Sequence, residues 1–230
     1  MVAIEQLSFL LPDGTYLRCD VRLLLNAGYA GRDRSAVERH IRELQRLGVS
    51  APAHVPCFYP ISSYLALQAS LLQVQHPHTS GEAEYVLLQV DGRSYVSVGS
   101  DHSDRLLERS SVALAKQACA NILASQAWEL SEVANHWDQL HLRSWTRIDG
   151  RWHLYQSGDL SQLWRPEDLL DRWLSLGHQR SDGLVLFSGT LPTIGGLKCG
   201  SAFRFELTDS VLDRSLGAEY EVEVLPPPVE

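Results

Sequence analysis

Apolar positions along this chain alternate more often than they recur at helical spacing. "LSFLLPDGTYLRCDVRLLLNAG", residues 7–28, reads as two strands around a Pro-Asp-Gly turn. "YVLLQV" and "SYVSVG" flank Asp91-Gly92, a strong short-range hairpin signal. "QLHLRSWTRIDGRWHLYQSGD" repeats the device around Asp149-Gly150. "GLVLFSGT" is an unbroken apolar run, hence a buried strand, while "AFRFELTD" and "EYEVEVLP" alternate. Three segments carry a helical period. In "GRDRSAVERHIRELQRLGV" a stripe of Val37, Ile41, Leu44 and Leu47 is closed by Gly48, with Arg39, Arg42 and Arg46 on a solvated face. "SVALAKQACANILAS" is the second, and "RPEDLLDRWLSLG", with Pro166 early and Gly177 at its end, the third. "APAHVPCFYP" reads as a proline-punctuated crossing loop. Many strands and few helices predict an α+β fold, a mixed sheet folded into a sandwich or roll.

The 230 residues, 44% of them hydrophobic, suffice for a large globular domain with a sizeable core. A net charge of -8 and a pI near 5.6 argue against nucleic acid and against an anionic membrane as partners. The N-terminus has no basic n-region, and no stretch approaches the roughly 18 apolar residues of a membrane span. Cys19, Cys57, Cys119 and Cys199 are far apart with no CxxC pair, the pattern of scattered reduced thiols. A cytoplasmic protein is expected.

Against this background "SGEAEYVLLQVDGRSYVSVGSDHSD", residues 80–104, stands out. If Asp91-Gly92 form a two-residue loop, Glu84 faces Gly99 and Glu82 faces Asp101. Directly opposed residues share a face at roughly 4.5–5.5 Å between Cβ atoms, and period two puts Glu82 and Glu84 on that same face. Three ionised carboxylates that close raise at least one pKa unless a cation compensates. A hard divalent cation is the economical partner, since carboxylate oxygens suit Mg²⁺, Mn²⁺ and Ca²⁺. A solvated acidic sheet edge is the alternative, and one residue of register slip would scatter the acids.

These residues resemble the fumarylacetoacetate hydrolase superfamily, and more closely an uncharacterised bacterial family on its edge. "EAE" at 82–84 is similar to its Glu-x-Glu metal pair, and "DHSDR" at 101–105 to its Asp segment. Lys116 in "LAKQAC" falls where the superfamily carries a lysine near the substrate. "YQSGDLSQLWRPEDLL" is similar to its Gln-Asp-Gly-x-Thr segment, with Gln156 as the matched Gln. "LVLFSGTLPTIGGLKCG" is similar to its strand and glycine-rich loop, with Gly189 and Thr190 as the substrate-binding pair. The resemblance implies a mixed β-sandwich roll with a few flanking helices, a single catalytic domain over 1–230. Residues 1–55 would be N-terminal strands and a lid-like helix, and 56–230 the β-roll core. It implies a homodimer with Mg²⁺ or Mn²⁺, Ca²⁺ being an admissible substitute, held by Glu82, Glu84 and Asp101. It also implies hydrolase or lyase chemistry on a small 2-oxo acid or 1,3-dicarbonyl carboxylate, with C–C cleavage through a metal-stabilised enolate.

The departures bear on mechanism. Tyr29 is present in "NAGYAGRDRSAVE", but Arg32, Asp33 and Arg34 stand where many superfamily hydrolases carry a water-activating His. Asp33 becomes a candidate base or a helix N-cap, and Arg32 a candidate substrate clamp. Lys116 is expected to act as acid/base or electrostatic clamp, or else to snorkel to solvent. Losing the His opens a second reading, a hydratase, decarboxylase or tautomerase built on Lys116. A degenerate binding protein is the third. The shorter span from Glu84 to Asp101 removes a helix common in the family. His102 should point to the opposite face as a surface or core residue. His76 and His78 flank Pro77 in a loop, and Arg105 should support Asp101 or its loop by ion pairing. The tryptophans read as core or interface residues.

Overall fold

The computed structural model describes residues 5–46, 51–179 and 181–229. Strands β1 (Glu5–Leu10) and β2 (Tyr16–Val21) form the first hairpin, from Glu5 opposite Val21 to Leu10 opposite Tyr16. β3 (Leu23–Gly28) follows at once and enters another sheet. Helix α1 (Arg34–Arg46) carries the Val37 and Ile41 stripe; the Leu44 side chain and all of Leu47 and Gly48 lie outside the described residues. Next come β4 (Cys57–Ile61), β5 (Ala66–Leu67) and β6 (Leu71–Val74). The long hairpin of β7 (Thr79–Val90) and β8 (Arg93–Asp104) leads to α2 (Val112–Gln117), β9 (Asn121–Leu123), β10 (Trp128–Glu129) and α3 (Leu130–Val133). A second long hairpin, β11 (His141–Ile148) and β12 (Arg151–Asp159), precedes α4 (Pro166–Ser175), β13 (Leu184–Phe187), β14 (Ala202–Asp209) and β15 (Arg214–Val224).

The larger sheet runs β4-β3-β13-β7-β8-β9-β5, with β10 also on β8; the smaller runs β12-β11-β14-β15-β6. Both are mixed: β13 lies parallel to β3, β5 to β9 and β15 to β6. Period two on β7 and β8 divides the apolar residues between two cores. Ala83, Tyr85, Leu87, Val96 and Val98 face Phe203, Phe205, Leu207 and Tyr220 of the smaller sheet. Val86, Leu88, Val90 and Tyr95 turn the other way and pack beneath Leu7, Phe9, Cys19 and Val21 of the first hairpin. The larger sheet curls: Asn121 of β9 donates to Asn26 of β3 at 2.9 Å, although three strands separate them in the sheet order. Gly99 lets the curl tighten. A Cβ there would lie 2.7 Å from the Phe187 ring and 2.8 Å from the Ile122 carbonyl.

Four elements differ from the sequence pattern. The helix expected over "SVALAKQACANILAS" stops at Gln117, and Asn121–Leu123 is strand instead. The free edge of β8 takes Leu123 opposite Gly99 and Ile122 opposite Ser100, a pairing that outweighs local helix preference. The crossing loop contains β4, which pairs antiparallel with β3. A short fourth helix, α3, packs Leu130 and Val133 into the main core. The segment read as two strands holds three, and the third, β3, lies between β4 and β13 in the larger sheet.

Candidate active site

The turn between β7 and β8 holds Asp91 at φ 50° and Gly92 at φ 73°. Two consecutive left-handed residues are what a two-residue hairpin turn needs to match strand twist. The register follows by counting: Val90 opposite Arg93, Glu84 opposite Gly99, Glu82 opposite Asp101. All three acids therefore sit on the face of Val86 and Leu88, beyond the end of the core that the first hairpin covers.

Each carboxylate has an internal hydrogen-bond or ion-pair partner. Asp101, fully buried, forms an ion pair with the Lys116 ammonium, which α2 brings over the strand. Ser103 donates a further, longer bond to Asp101 at 3.3 Å. Glu84, also buried, accepts the Gly189 N–H at 2.7 Å. Glu82 meets the Arg105 guanidinium at 3.3 Å, and Arg105 in turn binds both carboxylate oxygens of Glu108 at 3.0 Å and the Ser80 hydroxyl at 2.7 Å. Of the two expected roles of Arg105, the ion pair with its own loop is made, to Glu108, and a further one reaches Glu82 in place of Asp101. Burial, then the charges of Asp101 and Glu82, push the Glu84 carboxyl well above its ordinary range against the pull of Lys116. Burial pulls the Lys116 ammonium down, but Asp101, Glu84 and Glu82 together outweigh it and hold it above its ordinary range. The Lys116 Nζ also lies 5.8 Å from the centre of the Tyr59 ring.

The glycine-threonine loop takes over where β13 ends. β13 pairs with β7 as far as Phe187 opposite Val86. Beyond it Ser188 N–H donates to the Tyr85 carbonyl and the Thr190 hydroxyl donates to the Ala83 carbonyl at 2.8 Å. Gly189 has φ +79°, and a Cβ there would meet the Ala27 carbonyl at 3.2 Å. That conformation is what aims its N–H at Glu84. Gln156, fully buried on β12, accepts from Ala83 N–H at 2.8 Å and from the Ser144 hydroxyl at 2.7 Å. It donates to Thr190 at 2.5 Å and to the Leu191 carbonyl at 2.9 Å. All four hydrogen-bonding positions of its amide are filled from within the protein. Gln156 and Thr190 therefore grip the backbone of Ala83, the residue between the two glutamates.

Arg32 and Asp33 make their bonds elsewhere. Asp33 accepts from Ser35 N–H at 2.9 Å and Ala36 N–H at 3.1 Å, the N-cap of α1. Arg32 binds Asp138 with both terminal nitrogens, at 3.0 and 2.7 Å, and the Leu163 carbonyl with Nε. His102 points to the opposite face as its position requires, 2.7 Å from the Tyr220 hydroxyl in the core. His76 pairs with Asp104 at 2.8 Å. Two residues escaped the sequence pattern. Asn121 precedes Ile122 and so stands opposite Asp101, and Asn26 bonds it. Both are fully buried, and Asn26 Nδ2 and Asn121 Oδ1 have no hydrogen-bond partner among the described residues. A strand reading of "NIL" was the signal for Asn121.

Among the described residues no three carboxylate, imidazole or thiol groups converge as a finished metal shell. The donor chemistry nonetheless fits a hard divalent cation: oxygen atoms only, from three acids in register, with a Glu84 carboxyl whose charged form the neighbouring acids disfavour until a cation compensates it. The cations that stand among those oxygens are the Lys116 ammonium, on Asp101, and the Arg105 guanidinium, on Glu82.

Solved structures share the fold. A protein provisionally named a fumarylpyruvate hydrolase, from Burkholderia cenocepacia, is similar at 19% identity and a TM-score of 0.64, over 98% of each chain. One provisionally named a fumarylacetoacetate hydrolase family protein, from Yersinia pestis, is similar at 14% identity and a TM-score of 0.64, over 95% of this chain and 100% of that one. A 2-keto-3-deoxy-D-arabinonate dehydratase complexed with magnesium and 2,5-dioxopentanoate is similar at 18% identity and a TM-score of 0.61, over 90% of this chain and 74% of that one. No curated protein matches the chain. A family model described as "protein of unknown function (DUF2848)" matches residues 27–220, a span that holds every site residue named above but Asn26, and the chain belongs to that family.

Proposed function

We propose that the chain is an enzyme of the fumarylacetoacetate hydrolase type, acting on a small 2-oxo acid or 1,3-dicarbonyl carboxylate. Glu82, Glu84 and Asp101 would hold a divalent cation, Mg²⁺ or Mn²⁺. The observation that carries the reading is the register that sets Glu82 against Asp101 and Glu84 beside them, with a buried lysine on the same face. The magnesium and dioxo acid bound by a dehydratase of the same fold support it. When bound, such an ion supplies a Lewis acid toward the oxygens of an oxo-carboxylate. Lys116 keeps a positive charge in a dry setting, where it stabilises negative charge growing beside a carbonyl or hands a proton to that carbon. Glu84 is disposed to hold a proton. Gly189 fixes the Glu84 carboxylate, and Arg105 orients that of Glu82. Gln156 and Thr190 act here through the backbone of Ala83. A homodimer working in the cytoplasm belongs to the same reading; among the described residues no helix is long and apolar enough to cross a membrane.

Hydrolytic C–C cleavage needs a base for water. Asp33 is engaged as a helix cap and Arg32 in an ion pair, which favours the second reading, a hydratase, decarboxylase or tautomerase that relies on Lys116. The test is thermal stability after chelation, with Mg²⁺ or Mn²⁺ restored, in wild type and Glu84→Ala, followed by a 2-oxo acid screen. A ligand of the folded state raises stability by about 2.7 kcal/mol at one hundred times its Kd. Stabilisation of wild type but not of the variant is expected. No response of either protein at millimolar metal overturns the reading, and cleavage products as against an enol or hydrated product separate its two forms.

A further inference from the structure

We propose that Lys116 is the built-in counter-ion of this site, and that a divalent cation reaches Asp101 only by displacing the Lys116 ammonium from it. The inference rests on the reading of Glu82, Glu84 and Asp101 as metal ligands and adds an exchange between two cations for one carboxylate. Three observations carry it. Lys116 is paired with Asp101 in a place where both are shut off from water, so the pair is a formed contact and not a surface encounter. The three acids are in register for a shared ligand yet do not converge, and of the two Asp101 oxygens Lys116 holds one while Ser103 bonds the other. Glu82 and Glu84 are held by Arg105 and by the Gly189 N–H, partners from other elements, so the lysine is the cation whose removal frees Asp101. A flexible stem of four carbons lets the ammonium swing away without moving α2. Its stem stays anchored on α2 beside the site, so the displaced ammonium stays available to a substrate's carboxylate.

The composition makes the exchange directly visible. The chain has two lysines, Lys116 and Lys198. In protein labelled with ¹³C-lysine, each Cε gives its own signal, and Lys198→Arg assigns them. Titration with Mg²⁺, alongside calorimetry, should shift the Lys116 signal at the stoichiometry of binding and leave Lys198 in place. Lys116→Met should bind Mg²⁺ more tightly, on the order of tenfold, because the competitor is gone. Binding by Lys116→Met where wild type binds none also supports the exchange. If Mg²⁺ binds wild type and the Lys116 signal stays still, or the Met variant binds no tighter, the exchange is overturned while the metal site stands. If neither protein binds Mg²⁺, the metal site itself falls, and the exchange with it. Should the Met variant not fold, the wild-type titration alone decides.

Discussion

Asp101 and Lys116 illustrate how one side chain depends on another for its charge. A buried carboxylate stripped of its partner bears its desolvation alone. Lys116→Met is therefore expected to lower the stability of the metal-free protein by about 3–5 kcal/mol, read from urea unfolding. His102, one residue away on the other face, is held neutral. Burial, then the charge of Arg105, holds its imidazole down at about 3, against 6.5 in the unfolded chain. A neutral His102 thus contributes stability that is whole above 6.5 and drains away as pH falls toward 3. The unfolding free energy from urea melts should drop by up to roughly 1.4 kcal/mol per pH unit through that window, and His102→Gln should flatten the slope. The acids were legible in the chain because a two-residue turn allows register to be counted. Arg105's choice of Glu82 was not, since it depends on where a long side chain ends and not on which strand bears it. Asn26 was hidden in an apolar run, and Asn121 behind a helical pattern.

The elements around the site are held by side chains standing in for a strand. β13 is too short to reach Ala83, and Thr190 and Gln156 complete the ladder there. Thr190→Val deletes the donor to the Ala83 carbonyl and one acceptor of Gln156. It should cost about 1–3 kcal/mol by denaturant unfolding and weaken metal affinity through displaced glutamates. Gly189→Ala forces a Cβ into a left-handed backbone and toward the Ala27 carbonyl, and about 1–2 kcal/mol of destabilisation is expected. Resemblance identified these residues as substrate binders; the hydrogen-bond inventory shows them occupied with the backbone. That distinction rests on contacts between β7, β12 and the loop after β13, which lie far apart in the chain. The strands over 79–104 and 141–159 were legible from their turns. β9 was not, because three residues in a sheet edge carry no period of their own, and their state is decided by what β8 lacks.

At the scale of the whole molecule, two cores share one sheet. The first hairpin closes the smaller core with Leu7, Phe9, Cys19 and Val21, so Phe9→Ala should destabilise the protein by about 3–5 kcal/mol, as a thermal scan would record. α+β class, mixed sheets and a sheet that rolls up could be read in the chain; the place where the curl tightens could not, since there Gly99 admits the Phe187 ring. The division of labour across the long hairpin also bears on heredity. Ala83, Tyr85, Ser100 and His102 bind the sheets together on one side, while Glu82, Glu84 and Asp101 occupy the opposite face of the larger sheet. A lineage can exchange the acidic set for other polar groups, one codon at a time, and keep the fold. What it cannot do cheaply is gain or lose a single codon between the turn and the acids, because every side chain beyond that point would change sides. New chemistry on this scaffold is open to substitution and closed to small insertions.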